Sequence, residues 1–171
     1  MEVEVKARIT SIADFRDKLL KIGSIPINKL FQEDRYYYPK NKKKSNFVLR
    51  VRSTNDKHEL VYKALTDKDG VWHEFSTGID KPDQAIKLLL HADFREILFI
   101  KKKREKFKLK EFEINLDEFQ EPKRFGNWIE AEVITDDPKS GKEKIKELFN
   151  RLGIKDKDFI HKGYPEIILK I

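Results

Sequence analysis

Alternation of polar and apolar positions with a period of two runs through most of the chain. Residues 2–8 set Glu2, Glu4, Lys6 and Arg8 against Val3, Val5 and Ala7, the pattern of a strand with one charged and one apolar face. The same rhythm predicts strands at about 30–38, 46–54, 58–66, 71–79, 96–105, 107–117, 127–135 and 164–170. Three stretches change to the helical period. The first spans about 11–22, with Ser11 or Thr10 as cap, Ile12, Phe15, Leu19 and Ile22 as apolar stripe, and Gly23 at its end. The second is opened by Pro82 and runs to about 91. The third spans about 139–152, with Ile145, Leu148 and Leu152 inward and Gly153 closing it. Asp67-Lys68-Asp69-Gly70 reads as a hairpin turn, and Gln120 to Gly126 as a loop.

In a half-buried sheet the polar parity normally meets water. Here that parity is filled, strand after strand, with full charges of both signs. Glu2/Glu4/Lys6, Arg50/Arg52, Lys102/Arg104, Glu111/Glu113 and Glu130/Glu132 each sit two residues apart, so each set points one way. Same-face neighbours lie about 6.5–7 Å apart along a strand, close to the repeat of a polyphosphate chain. A solvated face explains any single pair. Five such sets together favour an enclosed lumen lined by charge. Arginine forks make bidentate bonds to phosphate oxygens, and lysine supplies a point charge. Carboxylates beside them would repel a phosphate chain unless cations intervened, and Mg²⁺ or Mn²⁺ suits oxygen ligands of that kind. Closing the sheet into a barrel would enclose such a lumen and remove its edges.

Composition narrows the classes. A chain of 171 residues suits a single domain over 1–171 with a real core. It contains no Cys, which removes disulfides and thiolate metal sites. His58, His73, His91 and His161 lack metal-ligand spacing, and neither a P-loop nor a dinucleotide fingerprint occurs. No apolar run approaches the roughly 20 residues of a membrane span, and Met1 leads directly into a strand pattern, so a cytoplasmic protein is expected. The net charge of +7 favours anionic partners. Lys101-Lys102-Lys103-Arg104 and Lys42-Lys43-Lys44 could serve a non-catalytic polyphosphate or RNA-binding module. Acids on the same strand faces argue against nucleic acid. The pattern leaves monomer and homodimer open.

The charged sets also carry a resemblance. Glu2-x-Glu4-x-Lys6 resembles the ExExK motif of the CYTH superfamily, also called triphosphate tunnel metalloenzymes. The likeness continues in order through Gln32-x-Asp34-x-Tyr36-Tyr37, Leu49-Arg50-Val51-Arg52, Tyr62-Lys63, Glu74, Lys102-x-Arg104, Leu116-Asp117-Glu118, Glu130-x-Glu132 and Tyr164 to Leu169. Length and the stretches Leu152-Gly153-Ile154 and Asp158-Phe159-Ile160 look most like the class IV adenylyl cyclase branch; thiamine triphosphatase-like members are also similar. The resemblance implies an α+β fold built on a closed eight-stranded antiparallel β-barrel with helices outside. It implies one triphosphate site that requires Mg²⁺ or Mn²⁺, used either to cyclise ATP or to hydrolyse thiamine or inorganic triphosphate.

Carried over by position, Glu2, Glu4, Glu130 and Glu132 match metal-site carboxylates, with Asp117 and Glu74 joining or supporting them. Lys6, Arg50, Arg52, Lys63, Lys102 and Arg104 match phosphate-binding cations. Tyr36 resembles a tyrosine near the reacting phosphate, and Lys63 is its candidate catalytic partner. The sequence departs from the family pattern in three places. Gly163 stands where Ser usually precedes the final Tyr. Lys123 to Trp128 replaces a glycine-rich loop. The basic run Lys40 to Lys44 lacks the Arg-Asp-Phe of cyclase-like members.

Overall fold

A computed structural model describes residues 2–42, 46–65 and 72–170. The chain is α+β, with eight strands and four helices among the described residues. The elements are β1 (Glu2–Ile9), α1 (Ile12–Lys21), β2 (Ile25–Pro39), β3 (Phe47–Thr54), β4 (Lys57–Leu65), β5 (Trp72–Gly78), α2 (Pro82–His91), β6 (Phe94–Leu109), β7 (Phe112–Glu121), β8 (Asn127–Ile134), α3 (Pro138–Arg151) and α4 (Tyr164–Leu169). The strands hydrogen-bond in the order β1-β8-β7-β6-β2-β3-β4-β5. The pairs β1–β8, β7–β8, β2–β3, β3–β4 and β4–β5 are antiparallel.

That order is open: β1 and β5 stand at its ends, so the closed barrel expected from the resemblance is corrected. A physical reason is visible at β1. The Lys6 N–H donates to the Ile160 carbonyl and the Ile160 N–H donates to the Lys6 carbonyl, both at 2.8 Å. The segment following α3 thus occupies edge groups that closure would need.

Two more expectations change. The predicted strands at 96–105 and 107–117 are one long β6 and a later β7, because Phe107 and Leu109 continue the alternation. The chain reverses at Lys110, which has φ of 52°. The predicted terminal strand near 164–170 is the helix α4. Pro165 suits a first helical turn, and the Glu166 carboxylate accepts from the Gly163 N–H at 2.7 Å, satisfying a donor at the helix start. The Asp67–Gly70 turn, Lys43 and Lys44 lie outside the described residues.

The chain divides into two compact units, Met1–Leu30 with Lys103–Ile171, and Phe31–Lys102. In the first, Val3, Val5 and Ala7 of β1, Ile114 and Leu116 of β7, and Ile129, Ala131 and Val133 of β8 share a core with α1 and α3. Phe15 and Leu19 come from α1; Ile145, Leu148 and Phe149 come from α3. Ser11 caps α1 by accepting from the Asp14 N–H at 3.2 Å. In the second unit Tyr37 and Val51 pack with Leu89 of α2, flanked by Leu49, Leu60 and Ile86. Period two has a direct consequence: burying these faces under helices turns the alternate residues of the same strands the other way.

Gly141 marks how closely α3 approaches the sheet. A Cβ there would lie 2.9 Å from Thr135 Cγ2, 3.2 Å from Val3 Cγ2 and 3.3 Å from Val133 Cγ1. Gly→Ala inside a helix usually gains about 0.5–1 kcal/mol, whereas overpacking a core loses about 1–3 kcal/mol. With three branched side chains in the way, overpacking wins. Gly141→Ala is expected to destabilise the protein by about 1–2 kcal/mol in urea denaturation; a stabilised variant would contradict this packing.

Candidate functional site

In the first unit, the polar faces of β1, β7 and β8 are set by register. Glu4 lies opposite Glu132, and Glu132 opposite Glu113, so three carboxylates occupy one rung of the sheet. Like charges directly opposite one another are destabilising unless something offsets them. Glu113 has Lys106 at 2.6 Å. Glu2, Glu4 and Glu132 each offer an oxygen, and these oxygens all lie within 4.8 Å of one another. Burial, followed by the neighbouring Glu130 and Glu2, pushes the Glu132 carboxyl up to about 9. This is a group of hard oxygen donors whose negative charge is held at a cost, which fits a hard divalent cation.

The next rung holds Lys6, Glu130 and Asn115. Lys6 pairs with Glu4 and lies 3.1 Å from Glu130. Arg104, on β6, is 8% exposed. Its Nε and Nη2 donate to the two Asp117 oxygens at 2.7 and 2.6 Å, and Nη2 also donates to Glu130 at 2.8 Å. Asn115 Nδ2 donates to Glu130 and Glu132, each at 3.2 Å. Asp117 is fully buried and also accepts from the Tyr164 hydroxyl at 2.8 Å. Burial alone would lower the Arg104 pKa, but Asp117 and Glu130 outweigh it and hold the guanidinium charged.

The second unit gathers a different set. Asp34 lies opposite Arg52 and Tyr36 opposite Arg50 across β2 and β3. Arg52 donates through Nε and Nη2 to the Asp34 oxygens at 2.7 and 2.8 Å. The Tyr36 hydroxyl donates to Asp34 at 3.4 Å. Burial pushes the Asp34 carboxyl up, but Arg52, then Arg50 and Lys102, outweigh it and hold it below the ordinary range. Burial and the Asp34 charge push the Tyr36 phenol up to about 12, so it stays protonated at neutral pH. Glu74 faces Lys63 across β4 and β5 and lies 3.2 Å from Lys63 and 3.5 Å from Arg50. Lys102 is 2% exposed. Arg50 is buried, and among the described residues its Nε has no hydrogen-bond partner.

The candidates from sequence therefore fall into two groups. Glu2, Glu4, Lys6, Arg104, Asp117, Glu130 and Glu132 stand together in the first unit, and Tyr36, Arg50, Arg52, Lys63, Glu74 and Lys102 belong to the second. Among the carboxylates expected to hold metal, only Glu2, Glu4 and Glu132 share the close oxygen cluster; Glu130 and Asp117 bond Arg104, and Glu74 pairs with cations. Sequence reasoning missed Asn115, which shares the parity of Glu113 and Asp117, and gave no role to Asp34 or Tyr164. Asp34 shares the parity of Gln32 and Tyr36, the signal that could have found it.

The chain is similar to known proteins along nearly its whole length. A family model described as the CYTH domain matches residues 1–164. A protein of Methanocaldococcus jannaschii named "Putative adenylate cyclase" is 27% identical over 174 residues, covering 98% of each chain. A solved structure of a Pyrococcus horikoshii OT3 protein superposes with a TM-score of 0.84 at 30% identity, covering 97% of this chain and 98% of that one. The solved structure of a Hippeastrum protein, described as a "Putative adenylyl cyclase" with a dominant triphosphatase activity, superposes with a TM-score of 0.71 over 99% of this chain and 94% of that one. At 17% identity that likeness shows the shared fold alone. Among the described residues, no helix is long and apolar enough to cross a membrane.

The raised Glu132 carboxyl has a signed consequence for stability. From its ordinary value of 4.5 up to about 9, the folded protein holds a proton that the unfolded chain has lost, so stability falls as pH rises through that window. In metal-free buffer, Glu132→Gln is expected to flatten the decline of Tm between about pH 5 and pH 9. Parallel wild-type and variant curves would contradict the electrostatic picture of this cluster.

Proposed function

The chain belongs to the CYTH family, and from that premise we propose that it is a divalent-metal-dependent enzyme acting on a triphosphate, most like a class IV adenylyl cyclase. The observation that carries this reading is the close grouping of the Glu2, Glu4 and Glu132 oxygens beside charged Lys6 and Arg104. Residues 1–171 are taken as one CYTH-like domain. Mg²⁺ or Mn²⁺ is the cofactor, held by Glu2, Glu4 and Glu132, with Glu130, Asp117 and Glu74 supporting the cations around it. When bound, such an ion supplies charge neutralisation at the phosphate chain and polarises its oxygens.

The chain's own residues do the remaining work. Lys6, Arg50, Arg52, Lys63, Lys102 and Arg104 are the cations proposed for phosphate oxygens. A guanidinium held through Nε and Nη2 presents its Nη1 edge on the opposite side. Asp117 and Asp34 therefore orient Arg104 and Arg52 rather than compete for phosphate. Tyr36, held protonated, donates a hydrogen bond near the reacting phosphate, and Lys63 stands as its cationic partner. In cyclisation the ribose 3′-oxygen of ATP attacks the α-phosphorus and pyrophosphate leaves; the cations hold the three phosphates in line for that displacement.

Hydrolysis of thiamine or inorganic triphosphate is the second reading. It uses the same phosphate contacts, and the departures Gly163 and Lys40–Lys44 favour it because they fall where cyclase-like members carry other residues. A binding module without chemistry is the contrasting class. A salt-dependent affinity for RNA that survives Glu4→Gln would support it.

Incubation with ATP, thiamine triphosphate or inorganic triphosphate, each with Mg²⁺ or Mn²⁺, followed by chromatography, is expected to yield a product from at least one. Cyclic AMP with pyrophosphate marks a cyclase, and free phosphate marks a hydrolase. No turnover of any of the three would refute the enzyme reading. The double variant Glu2→Gln/Glu4→Gln is expected to lose at least about tenfold in metal-dependent turnover while remaining folded; wild-type turnover would remove those residues from the metal site.

A further inference from the structure

Tyr164 opens α4 and is buried, yet nothing in the proposed chemistry uses it. Its hydroxyl donates to Asp117 Oδ2 at 2.8 Å, the same oxygen that accepts from Arg104 Nη2 at 2.6 Å. The ring is seated by other aromatics. Phe119 lies 5.0 Å away, Trp128 5.8 Å and Phe125 5.9 Å between centroids, all edge-on. Phe125 and Trp128 come from the segment Lys123 to Trp128, where this sequence departs from a glycine-rich loop, and Trp128 Nε1 donates to the Phe125 carbonyl at 2.9 Å. Lys6 Nζ lies 5.1 Å from the Tyr164 ring centroid. One phenol thus touches the partner of one phosphate-binding candidate and the ammonium of another.

We infer that Tyr164 is a positioning residue, which through Asp117 fixes Arg104 so that its Nη1 edge is preorganised for a phosphate oxygen. This rests on the triphosphate reading above. Burial and the Asp117 charge push the phenol well above its ordinary range, so the hydroxyl remains a donor throughout the accessible pH range. Arg104 also donates to Glu130, and the plane of its guanidinium follows that of the Asp117 carboxylate it grips through two bonds. A third donor on the carboxylate, anchored by three packed rings, fixes that carboxylate before substrate arrives. The second unit repeats the chemistry: Arg52 grips Asp34 through Nε and Nη2, and the Tyr36 hydroxyl donates to the same carboxylate. Two occurrences of arginine, buried aspartate and tyrosine, built from different strands, speak for a positioning device and not an accident of packing.

A binding cycle tests this. The full-length wild type, Tyr164→Phe, Arg104→Lys and the double variant are titrated with a non-hydrolysable imido analogue of inorganic triphosphate in Mg²⁺ by calorimetry, with urea stability measured in parallel. Phenylalanine keeps the ring packing and removes only the hydroxyl. Tyr164→Phe is expected to weaken binding about fivefold to tenfold in the wild-type background. It should weaken binding less than about twofold once Arg104 is Lys, because the lysine has no fork to orient. A purely structural role would lower affinity by the same factor in both backgrounds, and that result overturns the inference. Unchanged affinity in Tyr164→Phe overturns it as well, while leaving the triphosphate reading intact. Absence of binding by the wild type would overturn that reading and this inference together.

Discussion

A fully charged guanidinium buried on β6 organises the first unit. Arg104 cannot sit there without compensation, since removing one partner of a buried ion pair costs about 3–5 kcal/mol. Asp117 and Glu130 supply that compensation from two neighbouring strands, and Tyr164 and Asn115 supply the next layer of hydrogen bonds. Each of these groups must face the same side of the sheet, which fixes the register of β7 against β8. A slip of one residue would bury Glu130 and Glu132 beneath α3 and expose Ile129 and Ala131. The apolar core and the polar cluster are therefore two faces of one register.

Placing the acids around Arg104 and Lys6 leaves excess negative charge farther along the same strands. Glu130 is engaged by Arg104, Lys6 and Asn115. Glu132 is one rung away, opposite Glu4, with Asn115 as a neutral donor. Burial, with the Glu130 and Glu2 charges added to it, raises the pKa of its carboxyl. An arrangement tolerated at a cost in the free protein is one that a cation can relieve. In the second unit the balance is reversed. Asp34 and Glu74 are each matched by cations, and the buried Arg50 Nε has no partner among the described residues.

Much of this was legible in the sequence because period two is a strong signal. Glu2-Val3-Glu4-Val5-Lys6 and Trp128 to Val133 announce both the strand and its faces, and Ser11 and Pro82 mark helix starts that the structure retains. Three things were not legible. Strand alternation says nothing about whether a sheet closes, and the Ile160 contact that occupies the β1 edge comes from a segment without periodicity. Tyr164 to Leu169 is rich in β-branched and aromatic residues, so local propensity favoured a strand; Pro165 and the Glu166 cap decided for a helix. The charge sets showed which residues share a face, but not which carboxylate each cation would take. Glu74, which by position could join or support the metal carboxylates, pairs with Lys63 in the structure.

The central claim is that the oxygens of Glu2, Glu4 and Glu132 hold a divalent cation. Crystals grown with Mn²⁺ and a triphosphate analogue, measured at the manganese absorption edge, address it most directly. The account predicts an anomalous peak within about 2.0–2.3 Å of carboxylate oxygens from those three residues. A peak ligated elsewhere, or none at this cluster with triphosphate bound, would contradict it.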